Sequence, residues 1–220
     1  MKKLFILLAF IFLNFQIFAT HLMGGEIIVH NDQLGQHEVL LTLYRDITGI
    51  PMQNSQDISI YNSSGNVVFT VTANLDTSAY HPIFGIQNGS ALPFFPYGVE
   101  IYFFSASFQC PIPGEYTASW NNCCRNAAII NLVNPSSSDM QLFSNFTVDT
   151  NSLYSNPYFL VKPVVFLPVN TPWQYNPLPY DPDGDSLVWS LGTPNETSSI
   201  NPSQGIPTVS YTHLRAHETV

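Results

Sequence analysis

Positive charge is the scarcest resource of this chain. Six Lys and Arg stand against fifteen Asp and Glu in 220 residues, a formal net charge of -9. Between residues 20 and 208 only Arg45, Arg125 and Lys162 remain, three cations against fourteen acids, a net of -11. This argues against nucleic acid as a partner, because binding it rests on neutralising phosphates with Lys and Arg. An anionic membrane surface is disfavoured for the same reason. Amphipathic helices are scarce too, with no such stretch longer than two turns beyond residue 20. Charged residues make up 10% of the chain and aromatics 14%, with 17 prolines. That composition fits neither a solvated disordered tail nor a helical protein rich in Ala, Glu, Lys and Leu.

Long apolar runs are confined to the N-terminus. Lys2 and Lys3 precede an apolar stretch over 4–18, interrupted mainly by Asn14 and Gln16, and Ala19 follows as a small residue suited to cleavage. This is the pattern of a secretion signal over 1–19. Its uninterrupted part, 4–13, falls short of the ~20 residues that span a bilayer. The mature chain is expected to begin at Thr20 or His21, without membrane insertion, and to be secreted or displayed on the cell surface.

Catalytic signatures are missing as well. His37-Glu38 starts like a zinc-protease helix, but position 41 holds Leu41 instead of the second His, and the segment alternates like a strand. There is no Gly-x-Ser-x-Gly elbow, phosphate-binding loop or dinucleotide fingerprint. Asp32, Asp57, Asp76 and Glu100 are acids of the type that pair in glycoside hydrolysis, yet their spacing specifies no pairing. The expectation is a protein that is not an enzyme.

What the chain does contain is strand-forming sequence. Runs rich in Val, Ile, Phe, Tyr and Thr occupy 26–30, 38–45, 57–61, 67–72, 99–108, 115–120, 127–132, 143–148 and 159–167, with turn residues between them. Residues 62–66, Asn-Ser-Ser-Gly-Asn, connect two of these as a hairpin. Val39, Leu41 and Leu43 share one face of their strand and Leu40, Thr42 and Tyr44 the other, so both faces should be covered. The fold class expected is all-β: an antiparallel β-sandwich over 20–153, then the start of a second sandwich over 154–208. Closely spaced prolines from Pro163 to Pro182 suit the edges and turns of that second unit.

Cys110, Cys123 and Cys124 sit in a secreted context where disulfides persist. Adjacent strand residues point to opposite faces, so Cys123 and Cys124 should not both reach Cys110. One bridge across the 12 intervening residues would add roughly 3 kcal/mol by loop entropy. The remaining thiol is a small buried apolar group, pairs elsewhere, or the bond joins Cys123 to Cys124. A catalytic thiol lacks a neighbouring His in sequence.

Asp181-Pro182-Asp183-Gly184-Asp185 places three carboxylates in five residues. They repel one another unless a hard cation sits among them, and calcium is the first ligand to consider. The run is not an EF-hand loop, because the sixth and twelfth positions hold Ser186 and Gly192. A plain acidic turn is the alternative. Tyr97, Tyr102, Phe103, Phe104 and Trp120 offer a row for carbohydrate binding, or ordinary core and cross-strand packing.

Four blocks carry a resemblance. Residues 20–27 (Thr-His-Leu-Met-Gly-Gly-Glu-Ile), 41–46 (Leu-Thr-Leu-Tyr-Arg-Asp), 123–131 (Cys-Cys-Arg-Asn-Ala-Ala-Ile-Ile-Asn) and 181–187 (Asp-Pro-Asp-Gly-Asp-Ser-Leu) resemble the N-terminal region of large Bacteroidetes surface proteins. Those are the gliding-motility-associated, type IX-secreted kind. The resemblance implies tandem immunoglobulin-like or cadherin-like modules, a C-terminal sorting domain, and a structural or adhesive role with surface glycans or other cell-surface proteins as partners. A carbohydrate-binding module of a secreted hydrolase is the alternative. Many relatives carry a Cys where this chain has Ile47, which puts any disulfide pairing copied from them in doubt. Arg45 and Arg125 fall inside these blocks and read as buried or half-buried ion-pair or carbonyl-binding groups, with Asp46 and Glu26 as candidate partners and Asn126 as a further structural polar residue; exposed solubilising charge is the alternative. Residues 209–219 resemble a translated sequencing adapter, so 209–220 is set apart, and His213 and His217 at i, i+4 spacing are not read as a zinc site.

Overall fold

A computed structural model describes residues 21–31, 35–93, 98–129, 134–149, 154–163, 176–191 and 212–217, with 170, 172 and 174. The segment 1–19 expected to be a secretion signal, Asp32, Tyr97 and residues 192–208 lie outside these. The protein is all-β. Its strands are β1 (Leu22–Asn31), β2 (His37–Asp46), β3 (Ser55–Asn62), β4 (Val67–Leu75), β5 (Ser90–Ala91), β6 (Val99–Phe108), β7 (Gly114–Cys123), β8 (Asp139–Val148), β9 (Tyr158–Phe159), β10 (Pro179–Tyr180), β11 (Ser186–Leu191) and β12 (Thr212–His217). Among the described residues one 3-10 turn, Pro135–Ser137, accompanies them.

The first eight strands form one antiparallel sheet in the order β1-β2-β6-β4-β3-β7-β8, with β5 added to β6. The join between β4 and β6 is only two residues long, Asn74 with Ser105 and Leu75 with Phe104. There the sheet turns a corner, so β1-β2-β6 faces β4-β3-β7-β8 as a sandwich, and the edge strands β1 and β8 come alongside each other. Period-two alternation builds the interior. Val39, Leu41 and Leu43 of β2 meet Phe104 and Phe108 of β6, Ile58 and Ile60 of β3, and Ala118 and Trp120 of β7 in one core. The Trp120 indole N–H donates to Gln56 Oε1 at 3.0 Å, so the ring is buried without an orphaned donor.

The second face of β2 and β6 is covered by an irregular loop instead of another sheet. Phe84, Ile86 and Leu92 pack on Tyr44, Val99 and Ile101, while Ala79 and Ile83 pack on Ile28, Leu40 and Phe103. Asn88 pins this loop like an added strand, donating to the Phe103 carbonyl at 2.8 Å and accepting from its N–H at 3.0 Å.

Gly25 sits where β1 meets β8. A Cβ there would lie 2.6 Å from Leu142 Cδ1 and 2.7 Å from the Thr42 carbonyl oxygen, and that backbone atom cannot yield. Gly25→Ala is therefore expected to cost about 1–3 kcal/mol by overpacking. Urea unfolding of the variant checks this, and an unchanged midpoint would show that the seam is looser than described.

Two sequence expectations need correction here. Residues 127–129 form a turn, not a strand, and 130–132 lie outside the described residues. The run 159–167 is a strand only at its start, where β9 pairs with β10; Pro163 follows, and 164–167 are not described. This stretch also begins docked on the sandwich, with Tyr158 packed against Ile28, Leu40 and Phe103. β11 pairs with β12, which falls in the segment 209–220, and its backbone is extended where a zinc pair would need a helix.

Candidate functional site

The first three blocks singled out by resemblance meet at one end of the sandwich. Leu22 N–H donates to the Cys124 carbonyl at 3.4 Å, and the Leu22 carbonyl accepts from Asn126 N–H at 2.9 Å. Asp46 N–H donates to the His21 carbonyl at 3.2 Å, and Asn126 Nδ2 donates to Asp46 Oδ2 at 3.1 Å. Asp46 Oδ1 accepts from Thr48 N–H and its hydroxyl. Burial pushes the Asp46 carboxyl up, but the bonds from Thr48 and Asn126 outweigh it and hold the group below the ordinary carboxylate range.

Arg45 is buried and paired, but its partner is neither Asp46 nor Glu26. Glu100, directly opposite on β6, takes both Arg45 Nε at 3.0 Å and Nη2. The reason is alternation. Asp46 follows Arg45 on β2 and points to the other face, and Glu26 lies opposite Thr42, also on that face. Arg45 Nη1 donates to the Gly49 carbonyl at 2.6 Å, and Tyr102 OH donates to Glu100 Oε2 at 2.8 Å. Arg125 is buried with its Nε donating to the Asp139 carbonyl at 2.8 Å, the carbonyl-binding role expected of it.

Glu26 instead accepts from Tyr44 OH at 3.2 Å. Burial raises its carboxyl to about 7 against the lowering effect of that bond. A second titratable group, His81, escaped the sequence reading because nothing in its loop marks it. Its Nδ1 accepts from the N–H groups of Ile83 and Phe84, which places the proton on Nε2, 2.9 Å from Thr42 Oγ1. Burial, with Lys162 adding its charge, lowers His81 to about 4.

The disulfide joins Cys123 and Cys124, and Cys110 is a thiol. The pairing of Cys110 with either neighbour is overturned by strand length. Cys110 lies before β7, beside Tyr116, and Cys123 ends that strand seven residues further on, roughly 23 Å away at the rise of a strand. A disulfide requires Cα atoms within about 7 Å. Burial pushes the Cys110 thiol up to about 11, which disfavours its thiolate at neutral pH.

The acids considered for hydrolysis serve separate contacts: Asp57 accepts from Thr72, Asp76 caps a turn through Ser78, and Glu100 holds Arg45. Tyr102, Phe103, Phe104 and Trp120 are buried, which removes the aromatic row on which a carbohydrate face was based.

The three carboxylates of the 181–185 loop do not converge. Asp181 Oδ1 accepts the N–H groups of Asp183 at 2.8 Å and Asp185 at 3.3 Å, closing a turn. Asp183 Oδ2 turns away to the Ser155 N–H at 2.7 Å. Among the described residues, no group of three or more His, Cys, Asp and Glu is arranged to hold a metal ion. A cage of three carboxylates therefore does not fit, and any cation would rely on Asp181 with neutral oxygens. No family model, curated protein or solved structure matches the chain. Among the described residues no helix is long and apolar enough to cross a membrane.

Proposed function

We propose that this chain is a non-catalytic structural or adhesive module of a secreted, cell-surface multidomain protein of the gliding-motility-associated, type IX-secreted kind. The observation that carries the reading is the use of its buried and half-buried polar groups. Arg45, Glu100, Arg125, Asn126 and Asp46 bind one another or backbone carbonyls and close the end of the sandwich where β1 begins. A site for catalysis needs a group held ready for substrate, whereas these are saturated by the fold. Calcium at the acidic loop belongs to the same reading, as an ion that stiffens the chain beyond residue 154. Other cell-surface proteins or surface glycans are the partners of such a module.

Fractionation of cells expressing the full chain tests the export on which the reading depends. N-terminal sequencing of the extracytoplasmic fraction is expected to begin at Thr20 or His21. A chain that keeps Met1 and stays in the cytoplasm would overturn the assignment.

A further inference from the structure

The acidic loop contains one carboxylate oxygen that the fold leaves without a hydrogen bond. Asp181 is only 8% exposed, and while its Oδ1 closes the turn, Oδ2 is shut off from solvent with no partner among the described residues. Leaving a buried polar atom unsatisfied is costly, and native structures do so rarely. An ordered water or an ion is the ordinary remedy. Asp183 and Asp185 lie within four residues and make the surroundings negative, which favours a cation. The acidic side chains of the 181–185 run offer only oxygens, the preference of a hard divalent ion.

The loop also reaches the seam of the sandwich. Asp183 Oδ2 holds the Ser155 N–H, and Ser155 Oγ accepts from Asn31 N–H at 3.1 Å. The next residue, Asn156, staples both edge strands. Its backbone N–H donates to the Val29 carbonyl and its Oδ1 accepts from Val29 N–H, both at 2.8 Å. On β8, its Oδ1 accepts from Ser144 Oγ and its Nδ2 donates to the Asn145 carbonyl. The 181–185 loop is thus two hydrogen bonds from the β1 edge and one residue from the staple that joins β1 to β8.

We propose that Asp181 Oδ2 anchors a calcium site in the 181–185 loop and that the ion acts as a clasp, ordering the loop that holds Ser155 and Asn156 against β1 and β8. This rests on the calcium reading given above and extends it to a defined consequence. Calcium takes six to eight oxygens, carbonyls and waters included, so a single buried carboxylate oxygen is a sufficient start. With so few protein charges the site falls in the range of extracellular modules, a Kd of about 10⁻⁴–10⁻³ M.

The test is calorimetric titration of the full chain with calcium chloride to about ten times Kd, together with amide hydrogen exchange at fixed ionic strength. Exchange at Val29 and Asn31 is expected to slow about tenfold. Ser155→Ala should retain calcium binding but lose the slowing at Asn31, and Asp181→Asn should lose both. Binding without slower exchange at Val29 and Asn31 overturns the clasp and leaves the ion standing. No heat of binding overturns both. Equal responses to magnesium or sodium mark an adventitious ion only. An Asp181→Asn chain that is more stable than the parent with calcium present shows Oδ2 to be an uncompensated group, which also overturns the site.

Discussion

Glu100→Ala is expected to lower the free energy of unfolding by about 3–5 kcal/mol, a large share of what a domain of this size holds. The residue is the counter-ion of Arg45, whose side chain is 4% exposed against 14% for Glu100. Truncation leaves the guanidinium inside the sandwich with the Gly49 carbonyl as its remaining hydrogen-bond partner among the described residues and the Tyr102 ring 5.7 Å away. It also removes the acceptor of the Tyr102 hydroxyl. The loss arises from an uncompensated buried charge, not from a missing attraction. The paired variant Arg45→Met with Glu100→Leu should therefore recover most of the stability, since apolar side chains of similar volume often replace a buried ion pair at no net cost. Urea unfolding of the three proteins decides it. A loss under 1 kcal/mol for Glu100→Ala would mean that solvent reaches Arg45, and a double variant as unstable as the single would assign the effect to packing.

Stability against pH should be nearly flat between about pH 4.5 and 6.5 as far as Glu26 and His81 are concerned, because the two titrations oppose each other. His81 falls from 6.5 to about 4 on folding, so its contribution is fully present above 6.5 and is lost as pH drops towards 4. Glu26 rises from 4.5 to about 7, so its contribution is present below 4.5 and is lost as pH rises through 7. In the shared window the unfolded chain holds one more proton on His81 and one fewer on Glu26, and the slopes cancel. Glu26→Gln removes one side of this balance while keeping an acceptor for Tyr44. The variant should match the parent near pH 4 and exceed it by about 3 kcal/mol at pH 8. Subtracting the two profiles isolates Glu26 from every other titrating group. A difference independent of pH would show that its carboxyl ionises normally in the folded protein.

Local sequence carried the strands well wherever both neighbours of a strand were supplied by the same sheet. The run 99–108 coincides with β6, and the Asn62 to Asn66 turn joins β3 to β4 as expected, with Asn62 Oδ1 accepting from the N–H groups of Ser64 and Asn66. Failure came at 127–129, which form a turn, and at 160–163, which fall outside the strands. Burial of Arg45 and Arg125 was legible from their scarcity and position. The partner of Arg45 was not, because Glu100 is 55 residues away and becomes its neighbour only through the register of β2 on β6.

The same division runs through the candidate sites. Composition and alternation by themselves determined an acidic, all-β chain with both faces of β2 covered, since period-two patterning and side-chain chemistry are properties of adjacent residues. What covers the outer face, an irregular loop pinned by Asn88 and His81, was decided by tertiary structure. So was the disulfide, because an extended ten-residue β7 holds Cys110 away from Cys123. The acidic run was visible as three carboxylates, but only the fold turns Asp183 to Ser155, encloses Asp181 Oδ2 and sets the loop beside the β1–β8 seam. Burial and long-range register depend on where distant segments meet, and a linear pattern contains neither.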